Sequence, residues 1–174
     1  MADSETILLR EYVPTDADAV LAINSECAPE VGEMSDEKLA LLAEESISFR
    51  VATKGEEIVG FLIGLDETSE RYGSPSYAWF RNRHANMAYV DRIAITGAAR
   101  GLGLGQRFYE DFENWANANG KPTLAAEVNT EPDNPPSHRF HQRFGFVEVA
   151  RERPYGPDEE VAMYEKPLLV EPLA

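Results

Sequence analysis

The chain has 174 residues, 43% of them apolar, enough for one domain with a substantial core, so residues 1–174 are expected to form a single domain. A formal net charge of −15 argues against nucleic acid as a partner, because a phosphate backbone would meet a repelling surface. Cys27 is the single cysteine, which excludes an intramolecular disulfide and a cysteine-rich metal site. No stretch approaches the apolar length of a membrane span, and Met-Ala-Asp-Ser-Glu at the start lacks the basic flank and apolar run of a secretory signal; a cytoplasmic protein without membrane contact is expected.

Thr6 to Tyr12 reads as a first strand, with Ile7, Leu8 and Leu9 as its apolar content. Pro14-Thr15-Asp16-Ala17-Asp18 predicts a helix start with Thr15 as N-cap and acidic residues in the first turn, and Ser35 opens a second short helix with Leu39, Leu42 and Ala43 at helical spacing. Ile47, Phe49 and Val51 alternate with polar residues, Lys54-Gly55 makes a turn, and Ile58 to Leu65 is nearly all apolar, which together predict a hairpin whose second strand is covered on both faces. Thr68 to Asn86 is expected to be irregular; its aromatics either cover an acceptor site or pack on the sheet or on another subunit.

Met87 to Ile95 reads as a strand. Gly105 to Asn119 reads as a helix with Leu104, Phe108, Phe112 and Trp115 on one stripe, ended by Gly120 and Pro122. Thr123 to Asn129 is the next strand. Asn134-Pro135-Pro136-Ser137 fits a capped helix start with proline at the first position, running to Phe144 with Gly145 closing it. Phe146 to Arg151 and Val161 to Lys166 are the last two strands. The order is a mixed α/β pattern.

Between the strand and the long helix lies Arg100-Gly101-Leu102-Gly103-Leu104-Gly105. Such a turn offers unpaired N–H groups and a helix dipole to an anion, most often a phosphate. A dinucleotide fingerprint is disfavoured because Gln106 stands where its third glycine belongs, and an NTPase phosphate loop because Gly105 is followed by Gln106-Arg107 rather than Lys and a hydroxyl residue. Against the acidic background, an anionic cofactor depends on local groups, Arg100 and Arg107 among them.

Arg-x-x-Gly-x-Gly, fitted by Arg100, Gly103 and Gly105, resembles the pyrophosphate-binding motif of the GNAT superfamily of acyl-CoA-dependent N-acetyltransferases. Ile93 to Arg100 matches that family's strand-to-turn segment, and Asn134, Ser137, Phe140, Phe144, Gly145 and Phe146 match its second signature, a helix ending in Gly-Phe. The resemblance covers nearly the whole chain and is strongest from Met87 to Phe146. It implies a GNAT-like α/β fold, a mostly antiparallel mixed sheet of six to seven strands flanked by helices and splayed between strands 4 and 5. It implies acetyl-CoA as cosubstrate, with the backbone of Ile93, Ala94 and Ile95 pairing with the pantetheine arm. Arg100, Gly101, Leu102, Gly103, Leu104, Gly105 and Gln106 would hold the pyrophosphate, and Asn134 and Ser137 would lie across the slot.

Acyl transfer to an amine needs a base for the ammonium and benefits from an acid for the thiolate. Glu127 stands at the end of the fifth strand, where similar N-terminal protein acetyltransferases carry a catalytic glutamate; Asp91, on the fourth strand and by period two on the face of Tyr89, Ile93 and Ile95, is the second candidate. The family's usual tyrosine, seven residues after its asparagine, is replaced here by His141, which can protonate a thiolate only while charged or correctly aimed. His138 and His141 have no nearby third ligand, and no metal is expected. The resemblance implies transfer of acetyl to a primary amine of a small molecule or peptide by direct attack in a ternary complex, the alternative being a non-catalytic acyl-CoA-binding or regulatory module. The acidic surface mildly favours a cationic acceptor, and a homodimer is possible.

Overall fold

The computed structural model describes residues 6–168. The strands are β1 (Ile7–Glu11), β2 (Ser48–Lys54), β3 (Glu57–Asp66), β4 (Ala88–Ile95), β5 (Thr123–Glu131), β6 (Val147–Glu152) and β7 (Glu160–Pro167). They form one seven-stranded sheet in the order β1-β2-β3-β4-β5-β7-β6. Every neighbouring pair is antiparallel except β4 and β5, which run parallel across the crossover made by the long helix. No helix among the described residues is long and apolar enough to cross a membrane.

The helices are α1 (Ala17–Glu26), α2 (Asp36–Glu45), α3 (Pro75–Arg83), α4 (Leu104–Ala118) and α5 (Pro135–Phe144). On one face of the sheet Val20, Leu39, Leu42, Tyr77 and Phe80 from α1, α2 and α3 pack on Phe61, Ile63, Tyr89 and Ala125. On the other, Phe108, Tyr109 and Phe112 of α4 and the partly buried Phe140 and Phe144 of α5 pack on Leu62, Val90, Leu124 and Tyr164. α4 lies close because Gly64 has no side chain: a Cβ there would collide with the Phe112 ring.

Three sequence expectations change. The segment expected to be irregular contains α3, capped by Ser74, whose Oγ accepts from the Tyr77 N–H, with Pro75 at its first position; Tyr72, Tyr77 and Phe80 are buried, so the aromatics pack on the sheet. Thr15 is not an N-cap: it sits in a 3-10 turn, and α1 starts after Asp16, whose carboxylate accepts from the Val13 N–H at 2.9 Å and from Arg10 at 2.7 Å. Asp91 does not share its face with Ile93 and Ile95. β3 pairs Ile63 with Arg92 and Gly64 with Val90, which leaves Asp91 as the extra residue of a β-bulge and reverses the alternation beyond it. Ile93 and Ile95 consequently pack with the α4 side, and Ala94 joins Tyr89 on the other.

Candidate active site

β4 and β5 share a ladder only at Ala88↔Leu124 and Tyr89↔Ala125. From Val90 on, β4 pairs with β3 alone while β5 pairs with β7, so a slot opens and the β4 edge along Ile93, Ala94 and Ile95 keeps its strand geometry without a second partner. An extended ligand arm can bond there as another strand would.

Beyond Ile95 the chain makes a 3-10 turn, Gly97–Ala99, and enters α4 through Gly103, its N-cap, at φ 75°. Gly101 is also left-handed, at φ 78°, and a Cβ at either position would meet no protein atom within 4 Å. These glycines therefore answer to backbone conformation and to free space in front of the turn, not to packing. No N–H from Gly101 to Gln106, through Leu102, Gly103, Leu104 and Gly105, donates to an acceptor among the described residues. With the positive end of the helix dipole behind them, these groups suit an anion such as pyrophosphate. Arg100 folds back to donate from Nε to the Ile95 carbonyl at 3.3 Å, and the buried Cys27 thiol donates to the same oxygen at 3.4 Å. Arg100, Arg107, Arg139 and Arg143 are exposed, and none makes an ion pair among the described residues, whereas every other arginine does. The unneutralised guanidiniums of this acidic chain thus belong to the glycine turn, α4 and α5.

Near the apex of the slot, on the side of α1, α2 and α3, stands Glu127. Its Oε1 accepts from the Tyr155 hydroxyl at 2.9 Å, and its Oε2 is buried without a partner. Burial pushes the carboxyl above the usual range; contacts with Ser76 and Tyr155 pull against this, Asp91 adds to it and Arg92 opposes it. Asp91 lies on the same side but accepts from Arg92 Nε at 2.9 Å, and both side chains are nearly inaccessible. Arg92 Nη1 also donates to Asn24 Oδ1 at 3.0 Å and to the Gly32 carbonyl at 2.9 Å, holding the α1–α2 connection against the slot. The structure therefore brings Glu127 and Asp91 to the same side of the slot, where Asp91 is paired with Arg92 while Glu127 makes no ion pair among the described residues and keeps Oε2 unpartnered.

His141 lies on the α4 side, 4% exposed, with its ring among Tyr109, Phe140, Phe146 and Tyr164. Nε2 meets the Tyr109 hydroxyl at 2.6 Å and Nδ1 the Ser137 carbonyl at 2.7 Å. Burial lowers its pKa to about 4, with the Ser137 carbonyl opposing and His138 reinforcing that shift. This differs from the expected proton donor: the imidazole is neutral and both nitrogens are occupied. His138 is engaged likewise, by Tyr164 at 2.7 Å and the Asn129 carbonyl at 2.9 Å. Asn134 caps α5 through its backbone, its carbonyl accepting from Ser137 and His138, and its side chain makes no cap bond.

Sequence reading missed Tyr155 and Ser76. Ser74-Pro75 is the same cap-and-proline sign read at Asn134-Pro135 and marks α3, hence Ser76; nothing local marks Tyr155, which reaches Glu127 from the β6–β7 turn. Surface grooves of about 350 Å³, beside His138 and Arg151, and about 530 Å³, beside Arg50 and Trp115, contain none of Asp91, Glu127 or the glycine turn.

The comparisons with known proteins agree with this geometry. Residues 17–146 match the model of the acetyltransferase (GNAT) family. A mycothiol acetyltransferase from Arthrobacter sp. (strain FB24) is 26% identical over 162 residues, 88% of this chain, which spans 46% of that protein's length. Among solved structures, Ard1 from Thermoplasma volcanium superposes with a TM-score of 0.74 at 22% identity, covering 94% of this chain and 98% of that one. The ribosomal-protein-S18-alanine N-acetyltransferase from Escherichia coli does so with a TM-score of 0.72 at 18% identity, covering 93% and 94%. With the splayed sheet, the free N–H cradle and a family match over most of its length, the chain belongs to the GNAT family of acetyltransferases.

Proposed function

We propose that the protein transfers the acetyl group of acetyl-CoA to a primary amine of a small molecule or peptide by direct attack in a ternary complex, with Glu127 as the base. The observation that carries this reading is the buried, unpartnered Oε2 of Glu127 at the apex of the slot, whose open β4 edge leads to the free N–H groups of Gly101 to Gln106.

Acetyl-CoA supplies an acyl group already activated as a thioester. The turn residues hold its pyrophosphate, and the β4 edge from Ile93 to Ile95 aligns its arm. Glu127 takes the proton that the acceptor ammonium must lose before nitrogen attacks the carbonyl carbon. A C–N bond forms, the C–S bond breaks, and the second proton leaving nitrogen ends on the thiol. The Tyr155 donation to Oε1 leaves Oε2 as the basic atom, and the raised pKa makes it a stronger base than an exposed carboxylate. Asp91, neutralised by Arg92, is a positioning residue, and His141 braces α5 against α4.

Calorimetric binding of acetyl-CoA, together with release of free thiol in the presence of primary amines, tests the proposal. Binding with amine-dependent thiol release is expected. Binding without release for every amine class would favour a non-catalytic acyl-CoA-binding module, and absence of binding would defeat both readings.

A further inference from the structure

On the acceptor side of the slot one cation has no partner. Lys38, in the first turn of α2, is half-buried; its ammonium lies over the Tyr72 ring, 5.9 Å from the centroid, and makes no ion pair among the described residues. The other cation here, Arg92, already serves Asp91, Asn24 and Gly32. Lys38 lies close enough to Arg92, Asp91 and Glu127 to feel their charges, and burial followed by Arg92 lowers its pKa. A half-buried ammonium that makes no ion pair leaves a position an anion can fill.

Three oxygens on the same side of the sheet are also incomplete: Glu127 Oε2, the Tyr89 hydroxyl and the Ser76 hydroxyl are all buried without hydrogen-bond partners, and the Tyr72 ring under Lys38 leads through Tyr77 to Tyr89. Tyr89 lies in the field of Glu127, Asp91, Tyr155 and Tyr72, and Ser76 adjoins Glu127, so the three belong to one region. They suit the hydrogens of an amine, and Lys38 suits a negative group attached to the same molecule. The local charges of Asp91 and Arg92 cancel, so nothing here calls for a multiply cationic acceptor despite the acidic surface.

We propose that the acceptor carries an anionic group beside its amine, as an α-amino acid does, with Lys38 binding the carboxylate while Glu127 receives the ammonium end. This rests on the acetyl-transfer reading above and adds the acceptor's class.

The test is thiol release from acetyl-CoA with matched pairs, the common α-amino acids against their decarboxylated amines, for the wild type, Lys38→Met and Lys38→Arg. At least one amino acid is expected to exceed its amine by tenfold or more in kcat/KM. Lys38→Met is expected to collapse that ratio towards unity, mainly through KM, and Lys38→Arg to retain part of it. Amines turned over as well as their amino acids, or a ratio that survives Lys38→Met, would overturn the acceptor class while leaving acetyl transfer standing. Acetyl-CoA binding with no acceptor of either kind turned over would overturn the acceptor class and point to the non-catalytic module; no acetyl-CoA binding would sink the acetyl-transfer reading itself.

Discussion

In the proposed role, Glu127 sets a catalytic requirement against stability. A carboxylate whose folded pKa is raised by burial leaves the native state holding its proton longer than the unfolded chain does. Its contribution to stability is therefore complete below the unfolded pKa and is lost as pH rises through the folded value. In its ionised form the group destabilises the fold. Glu127→Gln keeps the shape and can still accept from Tyr155 without the charge, so in the absence of ligand it is expected to melt higher than the wild type at pH 7.5, by about 2–4 °C for each kcal/mol relieved. The difference should vanish near pH 4. A lower melting temperature at pH 7.5 would show that Glu127 is held by stabilising partners and is not a strained base. His141 is the opposite case, a buried imidazole that remains neutral because its pKa falls to about 4. Its position in the second motif was legible in the sequence; its surroundings were not, because Tyr109 of α4 and Tyr164 of β7 reach it from two other elements.

The elements differ in how clearly the sequence announces them. The glycine turn and α4 are legible because left-handed glycines, an apolar stripe and a Gly-Pro end are local signals. α3 is less so: Ser74-Pro75 marks its start, but it is short and its buried residues, Ser76, Tyr77 and Phe80, make no sustained stripe. The bulge at Asp91 has no local sign at all: it is a property of the β3–β4 register, and it brings Arg92 to the side that Asp91 already shares with Tyr89. The turn carries its own prediction. Gly103→Val places a β-branched side chain at φ 75°, strained by roughly 1–2 kcal/mol, and in the open space that pyrophosphate would fill. Acetyl-CoA affinity measured by calorimetry should fall at least tenfold, with the far-ultraviolet circular dichroism retained. Unchanged affinity would mean that the turn is not the phosphate cradle.

At the scale of the molecule, a seven-stranded sheet separates two chemical tasks by its faces and its splay. α4 and α5 bring free N–H groups and unpaired arginines to one side, while α1, α2, α3 and the β6–β7 turn enclose carboxylates, hydroxyls and Lys38 on the other. The net charge of −15 hides this local division, since charge totals carry no positions. Positioning alone can account for part of any rate enhancement, and the base for another ~10²–10⁴-fold. The direct measurement is turnover against pH for Glu127→Gln, with acetyl-CoA affinity determined in parallel. A fall in kcat of at least about 100-fold, loss of the wild type's rise in kcat with pH on the acidic limb and an acetyl-CoA Kd within about twofold of wild type are expected; an unchanged kcat across pH would contradict the proposal that Glu127 is the base.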